Sequence, residues 1–150
     1  MNDEYFMRQV IALAKEAAEE GEVPVGAVVV FDGKIVGKGR NRREISKNAL
    51  AHAEIEAINE ACRALGGWRL WQCDIYVTLE PCPMCTGAII NSRIKRLVYG
   101  ASDYKAGSCG SVIDLFSLPY NHKPEVAKGV MQEECAALLS DFFKKLRKKL

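Results

Sequence analysis

The chain has 150 residues, 49% of them hydrophobic and 27% charged, which suits one domain spanning 1–150 with a single core and no linker, repeat or low-complexity segment. Its formal net charge of +2 is too small to announce a nucleic-acid binder by itself. Apolar runs such as 25–31 fall far short of the roughly 20 residues a membrane span needs, and Asp3, Glu4, Glu16, Glu19 and Glu20 exclude a signal peptide, so a cytoplasmic location without a membrane partner is expected.

Residues 5–18 carry apolar side chains at helical spacing (Phe6, Val10, Leu13, Ala14, Ala17), which predicts an amphipathic opening helix ended at Gly21. The period then changes. Residues 25–31 and 34–37 read as strands flanking Asp32-Gly33, a pair suited to the tight type I′ turn of a hairpin, so the two strands should pair antiparallel. Residues 49–65 read as a second helix stopping at Gly66-Gly67, where the missing Cβ lets the chain turn. A short strand follows over 75–79. Pro81 and Pro83 suit the opening turn of a third helix, where the N–H groups they lack have no intrahelical partner, and this helix runs to about Asn91. Residues 96–100 make a fourth strand, 101–124 an irregular stretch punctuated by Gly107, Gly110, Pro119 and Asn121, and 125–130 a weak strand. The final helix, 132–149, brings Leu138, Leu139, Phe142, Phe143 and Leu146 onto or near one face. Strands alternating with helices predict a layered α/β domain.

Two short motifs carry chemistry: His52-Ala53-Glu54 at the start of one helix and Pro81-Cys82-Pro83-Met84-Cys85 at the start of the next. Cys82 and Cys85 are neighbours on one helical face, and two thiolates plus one imidazole leave the fourth position of a tetrahedral zinc open, as catalysis requires. Helix N-termini carry partial positive charge, which favours thiolates. Glu54, in a first turn, leans towards the N-terminus and can flank a metal lying off the helix end, where it would carry protons. From the residues alone two other readings stay open. A cytosolic Cys-x-x-Cys can be a redox pair, although such a pair needs no histidine. A closed structural zinc site needs a fourth ligand, which Cys109 or His122 could supply. Cys62, Cys73 and Cys135 lie among apolar residues and read as small core side chains.

Basic residues cluster three times: Arg40, Arg42 and Arg43; Arg93, Lys95 and Arg96; and Lys144, Lys145, Arg147, Lys148 and Lys149. Any one cluster reads first as a solvated loop or helix end, and together they make only a weak case for an RNA contact. Phe142-Phe143 reads first as core and second as a stacking surface.

Beyond the metal motifs, Glu22-Val23-Pro24-Val25-Gly26-Ala27-Val28, Ala51-His52-Ala53-Glu54, Thr78-Leu79-Glu80-Pro81-Cys82-Pro83-Met84-Cys85, Ser92-Arg93-Ile94 and residues 136–143 resemble the bacterial tRNA adenosine deaminases. His-x-Glu followed by Pro-Cys-x-x-Cys is the signature of the wider zinc-deaminase superfamily, the cytidine/deoxycytidylate deaminases, whereas residues 107–115 and Phe142-Phe143 resemble the tRNA-specific branch. The resemblance implies a three-layer α/β/α fold around a central five-stranded mixed sheet, a homodimer, one zinc per subunit, and a tRNA anticodon stem-loop gripped across the dimer. Residue by residue, it implies His52, Cys82 and Cys85 as zinc ligands and Glu54 as general acid/base. It also implies Asn41 as a hydrogen-bond partner of the flipped nucleotide and Asp103 as a neighbour of the anticodon ribose; from the residues alone Asn41 reads as a loop former. The implied reaction is hydrolytic deamination of the wobble adenosine to inosine. Deaminases of a free base or nucleoside, of the guanine or cytidine type, share the metal motif and are the rival enzymes. A catalytically silent RNA-binding partner is the rival of another class, and it would have no use for Glu54.

Overall fold

The computed structural model describes residues 3–149; residues 1, 2 and 150 of the expected 1–150 domain lie outside the described residues. Helix α1 (Asp3–Glu19) opens two residues before the apolar period does, because Asp3 and Glu4 put negative charge on its first turn, where the helix dipole favours it. Strands β1 (Gly26–Phe31) and β2 (Lys34–Arg40) form the expected antiparallel hairpin. Asp32 and Gly33 both have positive φ, 51° and 75°, as a type I′ turn requires.

A short helix α2 (Arg43–Ser46) that the periodicity misses comes next. Helix α3 (Ala53–Leu65) then starts four residues later than predicted. Lys47 turns left-handed at φ 50°, and the Asn48 side chain accepts from the Leu50 N–H at 2.9 Å. That turn leaves His52 extended just before the helix. Strand β2 outruns its expected end at Gly37 because Gly37 and Gly39 carry no side chain to show alternation. They are glycines because α3 lies against the strand, and a Cβ at either would strike the carbonyl of Ala57 or Ala53.

Strand β3 (Cys73–Leu79), helix α4 (Pro83–Asn91), strand β4 (Arg96–Ala101), a single 3₁₀ turn (Leu115–Ser117), strand β5 (Glu125–Lys128) and helix α5 (Gln132–Lys148) complete the described chain. The five-stranded sheet has the order β2-β1-β3-β4-β5. Strand β1 is antiparallel to β2 and β3, and β3, β4 and β5 run parallel, so the sheet is mixed, as the resemblance implies. Alternation along the strands makes two cores. Ala27, Val29, Ile75, Val77, Leu97 and Tyr99 pack with residues of α3 and α4. Val28, Val30, Tyr76 and Val98 pack with α1 and Cys135 of α5.

The expectation that Phe142-Phe143 is core needs correction. Among the described residues of α5 only Cys135 is buried; Phe142 is half-buried and Phe143 exposed. The 17-residue helix spans about 25 Å, whereas the six-residue β4 on which it packs spans about 20 Å, so α5 outruns the sheet that would cover it. No helix of the described residues is long and apolar enough to cross a membrane.

Candidate active site

The strand register gathers four chain segments at one end of the sheet. Arg40 at the end of β2 pairs with Gly26 at the start of β1, and Leu79 at the end of β3 pairs with Ala101 at the end of β4. The chain before β1 and the chain after β2, β3 and β4 therefore all emerge at this end. The N-termini of α3 and α4 face the same place and close a cavity of about 710 Å³ lined by His52, Glu54, Cys82, Asn41, Asp103 and others.

His52 and Cys82 each occupy the residue before a helix, with extended backbone and no side-chain capping bond. A position that usually holds a capping side chain thus presents a metal-binding one instead. His52 Nδ1 lies 3.6 Å from Cys82 Sγ and 3.5 Å from Cys85 Sγ. With zinc–nitrogen and zinc–sulfur bonds of about 2.0–2.1 and 2.3 Å, a tetrahedral site has a nitrogen–sulfur edge of roughly 3.6 Å, so the three atoms fit one ion. Neither sequence candidate for a fourth ligand joins them: Cys109 Sγ meets Thr86 Oγ1 at 3.4 Å, and His122 Nε2–H donates to the Ile94 carbonyl at 2.7 Å. A three-ligand set with an open position suits catalysis better than a closed structural centre. Among the described residues no disulfide joins the six cysteines; Cys73 and Cys135 are buried core residues as expected, whereas Cys62 is only half-buried against the same core.

Protons in this corner are shared. Hydrogen bonds from the Cys85 thiol and the His52 ring hold the Cys82 thiol down to about 4, so its sulfur is an anion at neutral pH. The same bond to Cys82 raises His52, and donation to Cys82 together with burial raises Cys85. Glu54 is 4% exposed, and burial pushes its carboxyl up to about 7. A carboxyl poised there can both take and return a proton near neutral pH.

The wall opposite the metal corner is built from loops, and two carboxylates that sequence reasoning did not single out anchor it. Glu22, 1% exposed, accepts from the N–H groups of Glu44 at 3.1 Å and Ile45 at 2.7 Å, and so holds α2. Glu80, equally buried, accepts from the Asp103 N–H at 3.1 Å, the Cys109 N–H at 3.0 Å, the Ser111 N–H at 3.1 Å and the Ser111 hydroxyl. Both residues stand within stretches that resemble the tRNA deaminases, but no spacing marks them as anchors, because their partners lie 22 to 31 residues away.

Asn41 is buried in this wall, its Nδ2 donating to the Val23 carbonyl at 3.2 Å and its Oδ1 accepting from the Arg43 N–H at 3.2 Å. Asp103 is half-buried, and its Oδ1 accepts from the Lys105 and Ala106 N–H groups at 3.0 and 3.2 Å. Both side chains border the cavity, so the structure brings all six predicted site residues to one end of the sheet except that Cys85 lies behind the lining, against His52. The basic clusters behave unevenly. Arg40 pairs with Glu20 at 2.7 Å, Arg42 with Glu56 at 3.1 Å and Arg96 with Asp3 at 2.6 Å, whereas Arg43 borders the cavity.

The model of the MafB19-like deaminase family matches residues 1–147. The tRNA-specific adenosine deaminase of Bacillus subtilis is 50% identical over 98% of this chain and 92% of its own length. A solved structure from work on A-to-I editing by tRNA:A34 deaminases at the wobble position superposes with a TM-score of 0.88 at 46% identity, covering 90% of this chain and 99% of the other. The guanine deaminase of Bacillus subtilis superposes less closely, with a TM-score of 0.68 at 34% identity over 99% of this chain and 95% of its own.

Proposed function

Because the chain belongs to the MafB19-like deaminase family, and among deaminases to the tRNA-specific adenosine deaminases, we propose that it converts the wobble adenosine of a tRNA anticodon loop to inosine by hydrolytic deamination. The observation that carries this reading is the convergence of His52, Cys82 and Cys85 on one point, with the buried carboxyl of Glu54 in the same cavity.

His52, Cys82 and Cys85 would hold one zinc per subunit. A bound zinc acidifies water towards neutrality and so supplies a nucleophile at physiological pH. Glu54 takes a proton from the attacking water and passes it to N1 of adenine as the C6–O bond forms; it then takes the remaining proton of the new C6 hydroxyl and delivers it to the amine as the C6–N bond breaks, leaving the C6 carbonyl of inosine and ammonia. Asn41 holds the flipped nucleotide through the donor and acceptor capacity left over from its two backbone bonds, and Asp103 meets the ribose. An anticodon loop suits this cavity because its bases are already splayed, so little pairing is lost when the target enters. The acting unit is a homodimer of single-domain subunits, 1–150, in the cytoplasm.

Likeness to a guanine deaminase keeps free-base deamination as the second reading. Purified, zinc-loaded protein offered an anticodon stem-loop with a wobble adenosine, beside free adenosine, cytidine and guanine, decides between them. Inosine in the stem-loop alone is expected; ammonia released only from a free base or nucleoside would overturn the substrate.

A further inference from the structure

One aromatic side chain at the cavity serves neither the core nor the chemistry above. Tyr104 is 81% exposed, borders the same cavity as Glu54 and Asn41, and makes no side-chain hydrogen bond or ring contact among the described residues. Its backbone is nevertheless fixed. The Asp103 N–H donates to Glu80 at 3.1 Å, the Lys105 and Ala106 N–H groups to Asp103 Oδ1 at 3.0 and 3.2 Å, the Gly107 N–H to the Asp103 carbonyl at 2.8 Å, and the Ser108 N–H to the Pro81 carbonyl at 2.9 Å. An exposed ring on a braced turn is preorganised, so a ligand laid on it need not order the loop.

The surroundings say what that ligand is. Phe143, 40% exposed, supplies a second aromatic side chain to the cavity lining, and Arg43 and Lys105 supply cations. Aromatic faces interleaved with cations are what a single nucleic-acid strand needs, since bases stack on rings while phosphates meet the charges. The cavity, about 710 Å³, has room beyond one nucleoside.

We propose that Tyr104 is a stacking platform for the nucleobase next to the target adenosine, and that it favours a single-stranded loop over a free nucleoside as substrate. This rests on the reading of the site as a tRNA adenosine deaminase. Tyr104 is thus a specificity residue, and it takes no part in bond making.

The test compares zinc-loaded wild type, Tyr104→Ala and Tyr104→Phe on an anticodon stem-loop, measuring inosine formation and the fluorescence of 2-aminopurine placed on either side of the target. Tyr104→Ala should raise KM roughly 5- to 150-fold, the range alanine substitution gives for one stacked base, with kcat within about twofold. It should also abolish the fluorescence change on binding at one of the two positions. Tyr104→Phe, which keeps the ring, should restore both. Unchanged KM and fluorescence in Tyr104→Ala, or a loss confined to kcat, would overturn the stacking role while leaving the deaminase reading intact. Absence of inosine with the wild type would overturn both.

Discussion

The metal corner and the loop wall that faces it are held in place by different physics. Each side chain of the corner sits at or near a helix N-terminus, and those helices are packed on the sheet through Ala53, Ala57, Ile89 and Ile90. The loop wall has less of this backing; Cys109 reaches the same core, but α2 and the chain from Asp103 to Ser111 are tied down chiefly by the oxygens of Glu22 and Glu80. Core packing spreads positional control over many side chains, whereas a buried carboxylate concentrates it in one residue. The corner should therefore fail chemically while staying folded, and the wall should fail by losing its shape.

The largest effects belong to the corner. Cys82→Ala removes one of three ligands and should leave the protein folded but nearly free of zinc, with inosine formation below detection. Glu54→Ala should keep its zinc, measured by elemental analysis, and lose on the order of 10²–10⁴ in turnover, the usual contribution of a positioned acid/base. A Glu54→Ala protein that loses zinc as well would erase the separation between holding the metal and moving the proton.

On the wall, Glu80→Ala should do the most damage, because it strands the N–H groups of Asp103, Cys109 and Ser111 at once. Losing hydrogen bonds to a charged acceptor costs about 1.5–3 kcal/mol, enough to lower Tm by several degrees. The prediction is a more than tenfold fall in kcat/KM with zinc content unchanged. Glu22→Ala frees only the first turn of α2, so about 1 kcal/mol is expected, the scale of a lost helix cap. Arg43 borders the cavity from that helix, and KM should rise a few-fold at constant kcat. If either variant loses zinc, the wall and the corner are not independent.

The same contrast explains what the sequence made legible. His52 and Glu54, or Cys82 and Cys85, are two or three residues apart, so one turn of chain carries the signal, and Pro83 and Gly66 mark the helix ends. The hairpin was legible because Asp32-Gly33 needs two positive φ values. Helix α2 was not, because it is four residues long and depends on Glu22, a residue outside any local window. The late start of α3 was hidden for a similar reason: residues 49–52 have helical composition, and only the Asn48 side chain and the left-handed Lys47 turn them elsewhere. Phe142 and Phe143 had a core-like spacing, but spacing cannot say where the sheet beneath a helix ends.

The smallest effect, and the sharpest discrimination, concerns acid. Burial works to raise the Glu80 carboxyl, but bonds from the Ser111 hydroxyl and the N–H groups of Asp103, Cys109 and Ser111 outweigh it and hold the group below its ordinary value. A carboxyl whose folded value is depressed contributes stability that is complete above the unfolded value, about 4.3, and is lost as pH falls through the folded value. The amide resonances of Cys109 and Ser111 should therefore stay fixed down to about pH 4 and shift together below it. Glu80→Gln, which keeps an acceptor but cannot titrate, should flatten the Cys109 and Ser111 curves. Zinc content measured on the same samples separates this change from acid release at His52 and Cys82. Cys109 and Ser111 amides that move only when zinc leaves would mean that the corner supports the wall, and that Glu80 alone does not.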